Sequence, residues 1–539
     1  MVNERYSELV RQSFLENAER TAFSNYEGGS LTYGQVARLI NQLHDLFRQA
    51  GIKPQDHVAL IGKNSSNWAT AYMASITYGC VIVPILPNFI PSDVQHIINH
   101  SESVWLFTGI QNMEPLRWDS MPALKAAISL DDFSIIESRV TIDPTNTLET
   151  TDSQTPYIAN LPMEAKMVLL YTSGTMGFSR GVMLSHRSIS GNIEYSRTHM
   201  PLVPGDKILS FLPLAHAYGC AIEFLYPFTL GCHITFLGKM PTPQVLVRAF
   251  GEIKPRLILS VPLIIEKIYK KQLKPIIDKP IMKVLMNIPG INKIIFKKVN
   301  KKLSDVFGGN FVELVIGGAP MNEDVQRFLK KIKFRFTVGY GMTECGPLMS
   351  YAPWNLNPIN ACGRVVDQLE MKIDSRDQKN TVGEIMVRGT NVMEGYYRNP
   401  ETTAIALTTD GWLRTGDLGV IDEKGFLYIK GRSKSMILGA NGQNIYPEEI
   451  ESKINNLPFV AESLVVERRE NLVALIYPDL DWVDAHKVSE DHLNHIIEQA
   501  RLQLNKELPS FMRIMTCEVF KNEFEKTPKR SIKRFLYQQ

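Results

Sequence analysis

The stretch of the sequence whose residue types best suit chemistry is a loop rich in glycine, serine and threonine between Tyr171 and Gly181. Glycines let successive backbone amides turn toward an anion, and the hydroxyl groups add hydrogen-bond donors. Arg180 contributes a permanent charge that can bind two phosphate oxygens at once. A serine- and glycine-rich surface turn is the simpler alternative. The pattern predicts a polyphosphate-binding loop with the candidate ligands Thr172, Ser173, Gly174, Thr175, Gly177 and Arg180.

Two other catalytic motifs can be compared with the same loop. A Walker A loop needs a Gly-Lys pair, and this stretch has none. Residues 177–181 do match GxSxG, the nucleophile elbow of α/β-hydrolases, with Ser179 as nucleophile and His486 or His492 downstream as base. An elbow serine directly follows its strand, whereas here residues 172–176 lie between the apolar strand and the motif. A serine hydrolase is therefore only a remote alternative.

Helical and strand patterns alternate on both sides of this loop, and they must position it. Single helices between successive strands imply parallel pairing with right-handed crossovers. The first series of helix and strand patterns covers 31–51, 58–64, 68–79 and 81–87. The second series, between about 208 and 350, has strand patterns at 233–237, 256–261 and 311–318. The sequence predicts an α/β fold with two doubly wound sheets.

The pattern changes after about Cys362. Shorter alternating segments bounded by glycines, such as 383–389 and 425–431, predict antiparallel strands in a small β-barrel-like part. The last hundred residues combine a helix from Pro447 with two strands, which predicts a small α+β domain. We expect a large N-terminal domain over 1–433 and a small C-terminal domain over 434–539.

Composition is that of a soluble globular protein, with 44% hydrophobic and 21% charged residues. The six cysteines are scattered singly, so neither a zinc site nor a disulfide framework is predicted. The first residues lack the apolar region of a secretory signal, and no apolar run approaches the ~18 residues that span a bilayer. These features favour a cytoplasmic protein.

One segment, 267–302, is strongly basic, with eleven lysines and a single acid, Asp278. A nucleic-acid-binding protein is more often basic over a whole face, so we expect no nucleic-acid partner. The lysines alternate with large apolar residues, and such mixtures can dock on anionic membranes at the inner membrane face. An ordinary solvated helical insertion explains the same pattern.

The loop at 171–181 resembles the YTSGTTGxPKG signature of the adenylate-forming superfamily, which includes acyl-CoA ligases, luciferases and peptide-synthetase adenylation domains. The resemblance covers essentially the whole chain. Further segments match that superfamily's motifs in its order, at 213–219, 317–321, 339–344, 383–389, 411–419, 431–437 and 441–451. The resemblance implies that ATP, with Mg²⁺, activates a carboxylic acid as an acyl-adenylate, and that coenzyme A then takes the acyl group. Residues 261–270 and the basic segment resemble bacterial long-chain fatty acid–CoA ligases, which implies a medium- or long-chain acid.

The same resemblance implies roles for individual residues. Tyr340 would stack on adenine, Thr343 would hold the α-phosphate and Asp417 would accept hydrogen bonds from the ribose hydroxyls. Glu344 would bind magnesium, an ion that favours one or two carboxylates plus phosphate oxygens. His216 would act as a gate beside the acyl carboxylate. The implied nucleotide-binding set is Gly317, Gly318, Ala319, Tyr340, Gly341, Thr343, Asp417, Arg432 and Lys434. Each of these residues alone has an ordinary structural explanation, so the assignment depends on the collinear set.

Two further expectations concern the small domain. Lys434 occupies the superfamily's hinge position, flanked by Gly431 and Gly439, and the small domain would rotate about it between the two reactions. Members end in a segment like TPxGKIxR, whose lysine bridges the attacking carboxylate and the α-phosphate. Here Ser531 occupies that lysine's position, and Lys529 and Lys533 are the candidate substitutes. We favour Lys533, because a two-residue shift is small for a loop.

Departures from the superfamily pattern leave alternatives open. Met176, Ser179 and Arg180 replace the usual threonine, proline and lysine of the loop, which allows a catalytically weakened relative. The intact Thr343 and Glu344 argue against that alternative. Acyl transfer to a carrier protein instead of coenzyme A is the second alternative.

Overall fold

The computed structural model describes residues 4–145, 154–173, 179–438, 443–469, 471–526 and 532–538. Local sequence explains how its helices start. Helix α2 (Tyr33–Gln49) begins at Thr32, whose hydroxyl accepts from the Gln35 backbone while the Gln35 side chain accepts from the Thr32 backbone in return. This capping box satisfies two backbone N–H groups that the helix leaves unpaired. Tyr33, Val36 and Ile40 then lie on the buried face.

The first part of the chain builds most of an eight-stranded sheet. Its elements in chain order are α1 (Tyr6–Asn17), β1 (Thr21–Asn25), β2 (Ser30–Thr32), α2 (Tyr33–Gln49), β3 (His57–Ile61), α3 (Ser66–Tyr78), β4 (Val81–Ile85), α4 (Pro91–His100), β5 (Trp105–Thr108), α5 (Ile110–Met113), β6 (Ala126–Ser129), β7 (Ile135–Ser138), β8 (Lys166–Ser173), β9 (Ser179–Ser185) and α6 (His186–His199). Strands β8, β4, β3, β5 and β6 run parallel in that order, as the alternating pattern predicts. Antiparallel neighbours, β9 and β7, lie at the two ends of this parallel group.

The second part supplies two more groups of strands. Its elements are β10 (Lys207–Ser210), α7 (Ala217–Gly219), α8 (Tyr226–Thr229), β11 (His233–Phe236), α9 (Pro243–Ile253), β12 (Leu257–Ser260), α10 (Pro262–Ile268), α11 (Lys274–Ile277), α12 (Pro280–Leu285), α13 (Ile291–Val306), β13 (Glu313–Ile316), α14 (Glu323–Lys331) and β14 (Phe336–Val338). One sheet has the order β10-β11-β1-β2 and the other the parallel order β12-β13-β14. The Arg256 N–H donates to the Lys207 carbonyl at 2.9 Å, so the two sheets adjoin at β10 and β12. One hydrophobic core extends across these layers.

The third part is antiparallel, as predicted. Its elements are β15 (Tyr340–Gly341), β16 (Leu348–Tyr351), β17 (Arg364–Val365), β18 (Leu369–Asp374), β19 (Gly383–Gly389), β20 (Gly395–Tyr396), α15 (Pro400–Ala406), β21 (Leu413–Ile421), β22 (Leu427–Arg432) and β23 (Ile437–Leu438). The main sheet has the order β18-β19-β21-β22. The two-residue strand β20 leaves this part and pairs with β9, so that it forms the edge of the eight-stranded sheet.

The smaller C-terminal domain has α+β architecture and its own core. Its elements are β24 (Asn444–Ile445), α16 (Pro447–Ile454), β25 (Val460–Arg468), β26 (Asn471–Pro478), α17 (Leu480–His486), α18 (Glu490–Glu507) and β27 (Ile514–Val519). Strands β25, β26 and β27 form one sheet. The α/β architecture predicted from the sequence, with a large N-terminal and a smaller C-terminal domain, is confirmed. Within the described ranges, no helix combines the length and hydropathy that a bilayer-spanning segment requires.

Candidate active site

The predicted phosphate loop lies between the two strands of a hairpin. Strands β8 and β9 are antiparallel, with Thr172 opposite Arg180 and Ser173 opposite Ser179. The residues between them, including the predicted ligands Gly174, Thr175 and Gly177, lie outside the described residues. The hairpin therefore places Thr172 and Arg180 side by side, at the base of the loop.

The hairpin also removes the basis of the hydrolase alternative. A nucleophile elbow places its serine on a sharp turn between a strand and a helix. Ser179 instead begins strand β9, and helix α6 starts only at His186. His486, one of the two bases considered, stacks on Trp482 at 4.2 Å between ring centroids and bonds to its carbonyl through Nδ1 at 2.8 Å. The GxSxG match is therefore a coincidence of sequence.

The side chains of Arg180 and Glu344 both contact one tyrosine, Tyr396. The Tyr396 hydroxyl donates to Glu344 Oε1 at 2.9 Å, and the Arg180 guanidinium carbon lies 5.6 Å from the centroid of the Tyr396 ring. Burial, and then the neighbouring Glu344, raise the pKa of Tyr396 above its usual range, so the phenol keeps its proton and donates. Thr343 precedes Glu344 in a short 3₁₀ turn and is half-buried. The fold thus brings Arg180 of the predicted phosphate loop and the predicted metal carboxylate of Glu344 to the same tyrosine.

The Glu344 carboxylate suits a metal ion that is also bound by the phosphate groups of a ligand. Among the described residues, no group of three or more His, Cys, Asp and Glu side chains could hold a metal alone. Mg²⁺ commonly takes one or two carboxylates and completes its shell with phosphate oxygens and waters. A single carboxylate near the base of the predicted phosphate loop matches that requirement.

Asp417 is the centre of a second cluster. Its carboxylate accepts from the Tyr340 hydroxyl at 2.6 Å and from Arg432 Nε at 3.1 Å. Asp417 lies opposite Arg432 across the β21–β22 ladder, and the Thr415 hydroxyl accepts from the Asp417 backbone N–H. Asp417 is buried, whereas the Arg432 side chain is 72% exposed. The carboxylate is therefore fixed in orientation and retains further lone pairs for outside donors.

Three glycines of the implied nucleotide-binding set have structural reasons of their own. A Cβ on Gly317 would lie 3.2 Å from Tyr218 Cζ, so the tyrosine ring covers this glycine. A Cβ on Gly341 would lie only 2.2 Å from the Pro347 carbonyl oxygen. Gly318 has a positive φ of 85°, and Gly318 and Ala319 are exposed. Of the three residues of the implied nucleotide-binding set at the end of β13, Gly318 and Ala319 are therefore exposed, whereas Gly317 is covered.

His216 immediately precedes α7 and is half-buried. The loop that leads to it is held by Glu223, a fully buried residue of the π-helical turn between α7 and α8. Glu223 Oε2 accepts from Ser210 Oγ at 3.0 Å and from the Phe211 and Leu212 N–H groups at 3.1 Å. Burial raises the pKa of this carboxyl well above its ordinary value. Sequence reasoning missed Glu223, because nothing in its local pattern shows that this acid is buried.

Lys434 is exposed in the turn that follows β22, where the Ser435 and Met436 N–H groups both donate to the Arg432 carbonyl. Gly439 lies outside the described residues. Lys434 thus lies in an exposed turn between β22 and β23.

The C-terminal lysines differ in their surroundings. Lys526 and Ile532 form an antiparallel bridge, and the residues between them, including Lys529 and Ser531, lie outside the described residues. Lys533 Nζ is 3.4 Å from Glu525 Oε2. The next residue, Arg534, binds the Glu451 carboxylate and the Val465 carbonyl, which attaches this end of the chain to α16 and β25.

Comparison with known proteins shows what the chain is similar to. The sequence profile of AMP-binding enzymes matches residues 10–397, and that of the AMP-binding enzyme C-terminal domain matches residues 434–539. A long-chain-fatty-acid–CoA ligase of Mycobacterium bovis is 28% identical over 447 residues, covering 77% of this chain and 72% of the relative. Fatty acyl-CoA synthetase A of Dictyostelium discoideum is 28% identical over 536 residues, covering 92% and 79%. The fold matches O-succinylbenzoate coenzyme A synthetase of Bacillus subtilis, solved with ATP and magnesium ion, with a TM-score of 0.75, 19% identity and 98% coverage of both chains.

Proposed function

Because the chain belongs to the AMP-binding enzyme family, we propose that it activates a medium- or long-chain fatty acid with ATP and transfers the acyl group to coenzyme A. The observation that carries this proposal is the meeting of Arg180 and Glu344 at Tyr396, close to the glycine-rich hairpin. The fatty-acid specificity is supported by the names of the relatives, which are long-chain-fatty-acid–CoA ligase and fatty acyl-CoA synthetase.

The proposed reaction has two steps. A carboxylate oxygen of the acid attacks the α-phosphorus of ATP and pyrophosphate leaves; the thiol of coenzyme A then attacks the acyl carbon and AMP leaves. Arg180 would hold phosphate oxygens, Thr343 the α-phosphate, and Asp417 the ribose hydroxyls. When bound, Mg²⁺ would neutralise phosphate charge, with Glu344 as its protein ligand. Fixed donors and charges of this kind contribute mainly positioning and electrostatic stabilisation.

The proposed use of one site for both steps requires the domain 434–539 to rotate about Lys434, with His216 as the gate beside the acyl carboxylate. Among the described residues, the contacts that join the domains in the present arrangement include an ion pair between Lys430 and Glu449 and three hydrogen bonds. Lys270 Nζ donates to the Val460 carbonyl, Asn322 Nδ2 to the Ser452 carbonyl, and Asn456 Nδ2 to Asp324 Oδ2. These few polar contacts would exchange for others on rotation, at little cost compared with a buried apolar interface.

We expect pyrophosphate release to require ATP, Mg²⁺ and a medium- or long-chain acid when saturated acids from C2 to C18 are compared. With coenzyme A the turnover should continue, and without it acyl-adenylate should remain on the enzyme. If the enzyme transferred the acyl group to an acyl carrier protein and not to coenzyme A, the proposal that coenzyme A is the acceptor would be wrong. Labelling of Ser179 by a fluorophosphonate probe without ATP would contradict the reaction class.

We also propose that the basic segment 267–302 contacts anionic membranes peripherally. Helices α12 and α13 expose apolar side chains, with Ile281 73%, Val284 63% and Ile294 59% exposed. Five exposed lysines share α13 with the last of these: Lys293, Lys297, Lys298, Lys301 and Lys302. The inward side of α13 packs into the core through Leu303. The inner face of the segment is thus packed against the core, and its outer face carries both exposed lysines and exposed apolar side chains. Both types of residue bind anionic membranes, where each lysine contributes ~1 kcal/mol.

Replacing Lys297, Lys298 and Lys301 together by glutamine is expected to weaken binding to phosphatidylserine-containing vesicles about 100-fold, since about 3 kcal/mol is lost. Co-sedimentation measures it, and binding should fall as salt is raised. Ile281→Ser with Val284→Ser should weaken it at least about 10-fold through lost apolar burial. Ile405→Ser, at an equally exposed isoleucine of α15, is the matched control. If the wild-type protein does not bind anionic vesicles at any salt concentration, the proposed membrane contact is wrong.

A further inference from the structure

We propose that Tyr396 is a positioning residue that orients the Glu344 carboxylate toward the metal–nucleotide complex and keeps Arg180 apart from it. This inference rests on the proposed function, because it concerns how that site holds ATP with its metal. Sequence reasoning assigned no role to Tyr396.

The side chain of Tyr396 contacts two charged groups at once. Its hydroxyl donates to one oxygen of Glu344, and its ring lies beneath the Arg180 guanidinium. A hydrogen bond from a neutral phenol to a carboxylate fixes the carboxylate's orientation without neutralising its charge. The second carboxylate oxygen is then presented in a defined direction.

The ring also has an electrostatic consequence. Arg180 and Glu344 carry opposite charges, and a direct ion pair would use the very groups that phosphate and metal need. In the described structure both charges contact Tyr396, and the two side chains do not pair with each other. A cation over an aromatic face is held by a weaker attraction, about 0.5–2 kcal/mol, and remains available to an anionic ligand.

Backbone contacts fix Tyr396 in this place. Strand β20 pairs Tyr396 with Val182, and the next N–H, of Tyr397, donates to the Gly181 carbonyl at 2.7 Å. On the other side, the Met393 N–H donates to the Glu344 carbonyl at 2.8 Å. The segment 393–397 therefore joins the phosphate hairpin to the residue that would bind the metal, and Tyr396 is its side chain at the junction.

The matched pair Tyr396→Phe and Tyr397→Phe tests the inference. Both variants keep the ring and lose one hydroxyl, and the Tyr397 hydroxyl faces Glu102 at 3.4 Å, away from Glu344. Titration calorimetry with ATP, with and without Mg²⁺, provides a readout that needs no turnover. We expect Tyr396→Phe to weaken binding of Mg·ATP about 10-fold with little change for ATP alone, because one charged hydrogen bond is lost. Tyr397→Phe should bind both forms as the wild type does.

Unchanged Mg·ATP affinity in Tyr396→Phe would overturn the inference, and so would equal losses in the two variants. A double-mutant cycle with Glu344→Gln provides a second route. Adding Tyr396→Phe to Glu344→Gln should then cause no further loss of Mg·ATP affinity, and an additional 10-fold loss would overturn the coupling. If the wild type releases no pyrophosphate with any fatty acid, the proposed function fails, whereas the calorimetric comparison still decides the role of Tyr396.

Discussion

Asp417→Ala is expected to lower kcat/KM for ATP about 100-fold in acyl-adenylate formation. Two hydrogen bonds from ribose hydroxyls to a carboxylate, at roughly 1.5 kcal/mol each, account for this factor. The structure adds a second cause, because the same carboxylate holds the Tyr340 hydroxyl and the Arg432 guanidinium. Its loss would release two further residues of the predicted nucleotide site. Pyrophosphate exchange and ATP binding by calorimetry both measure the effect.

The β21–β22 hairpin offers a control for this prediction. Asp422 also accepts from a tyrosine hydroxyl, that of Tyr428 at 3.2 Å, but at the turn end of the same hairpin. Asp422→Ala should lower the melting temperature and leave ATP affinity unchanged. Asp417→Asn, which keeps the shape but turns one acceptor into a donor, should lose most of the same activity. Equal ATP affinity in Asp417→Ala and Asp422→Ala would exclude Asp417 from the nucleotide site.

Lys533→Ala is expected to slow adenylation by about 10²–10³, the usual loss when a preorganised donor is removed from a developing charge. Thioester formation from preformed acyl-adenylate should be unaffected, because the lysine would act only in the first step. In the structure the Lys533 ammonium is paired with Glu525. Ion pairs between exposed groups contribute little, ~0–1 kcal/mol, so this contact does not prevent Lys533 from reaching the site.

Three variants complete the lysine test. Glu525→Ala removes the partner and keeps the lysine, so adenylation should be unchanged or faster. Lys529→Ala tests the alternative lysine, and a loss there with none in Lys533→Ala would show our preference to be wrong. If neither lysine matters, Ser531→Lys should raise the adenylation rate.

Much of this protein follows from short windows of its sequence. Helix α2 appears close to where apolar periodicity predicts it, because burial on one face imposes a period of about 3.6 residues. Strands β3 and β4 and helix α3 are buried on almost every side, and they appear where apolar runs predict them. The Pro447 helix begins where a proline suits a first helical position. Candidate site residues such as Arg180 and Asp417 can be identified from the sequence, because each is a charged residue within a short glycine-containing motif.

Tertiary structure alone decided how these residues meet. Strand β20 has two residues, too few to show a period, and it pairs with β9 across more than two hundred positions of chain. That pairing places Tyr396 between Arg180 and Glu344. The burial of Glu223 likewise depends on the helices and sheets around it, since an acid reads as exposed in any local window. Residue types and spacing specify local conformation, whereas contacts between distant segments depend on how complete layers pack. Tyr396 and Glu223, which position other residues of this site, are placed by such long-range contacts.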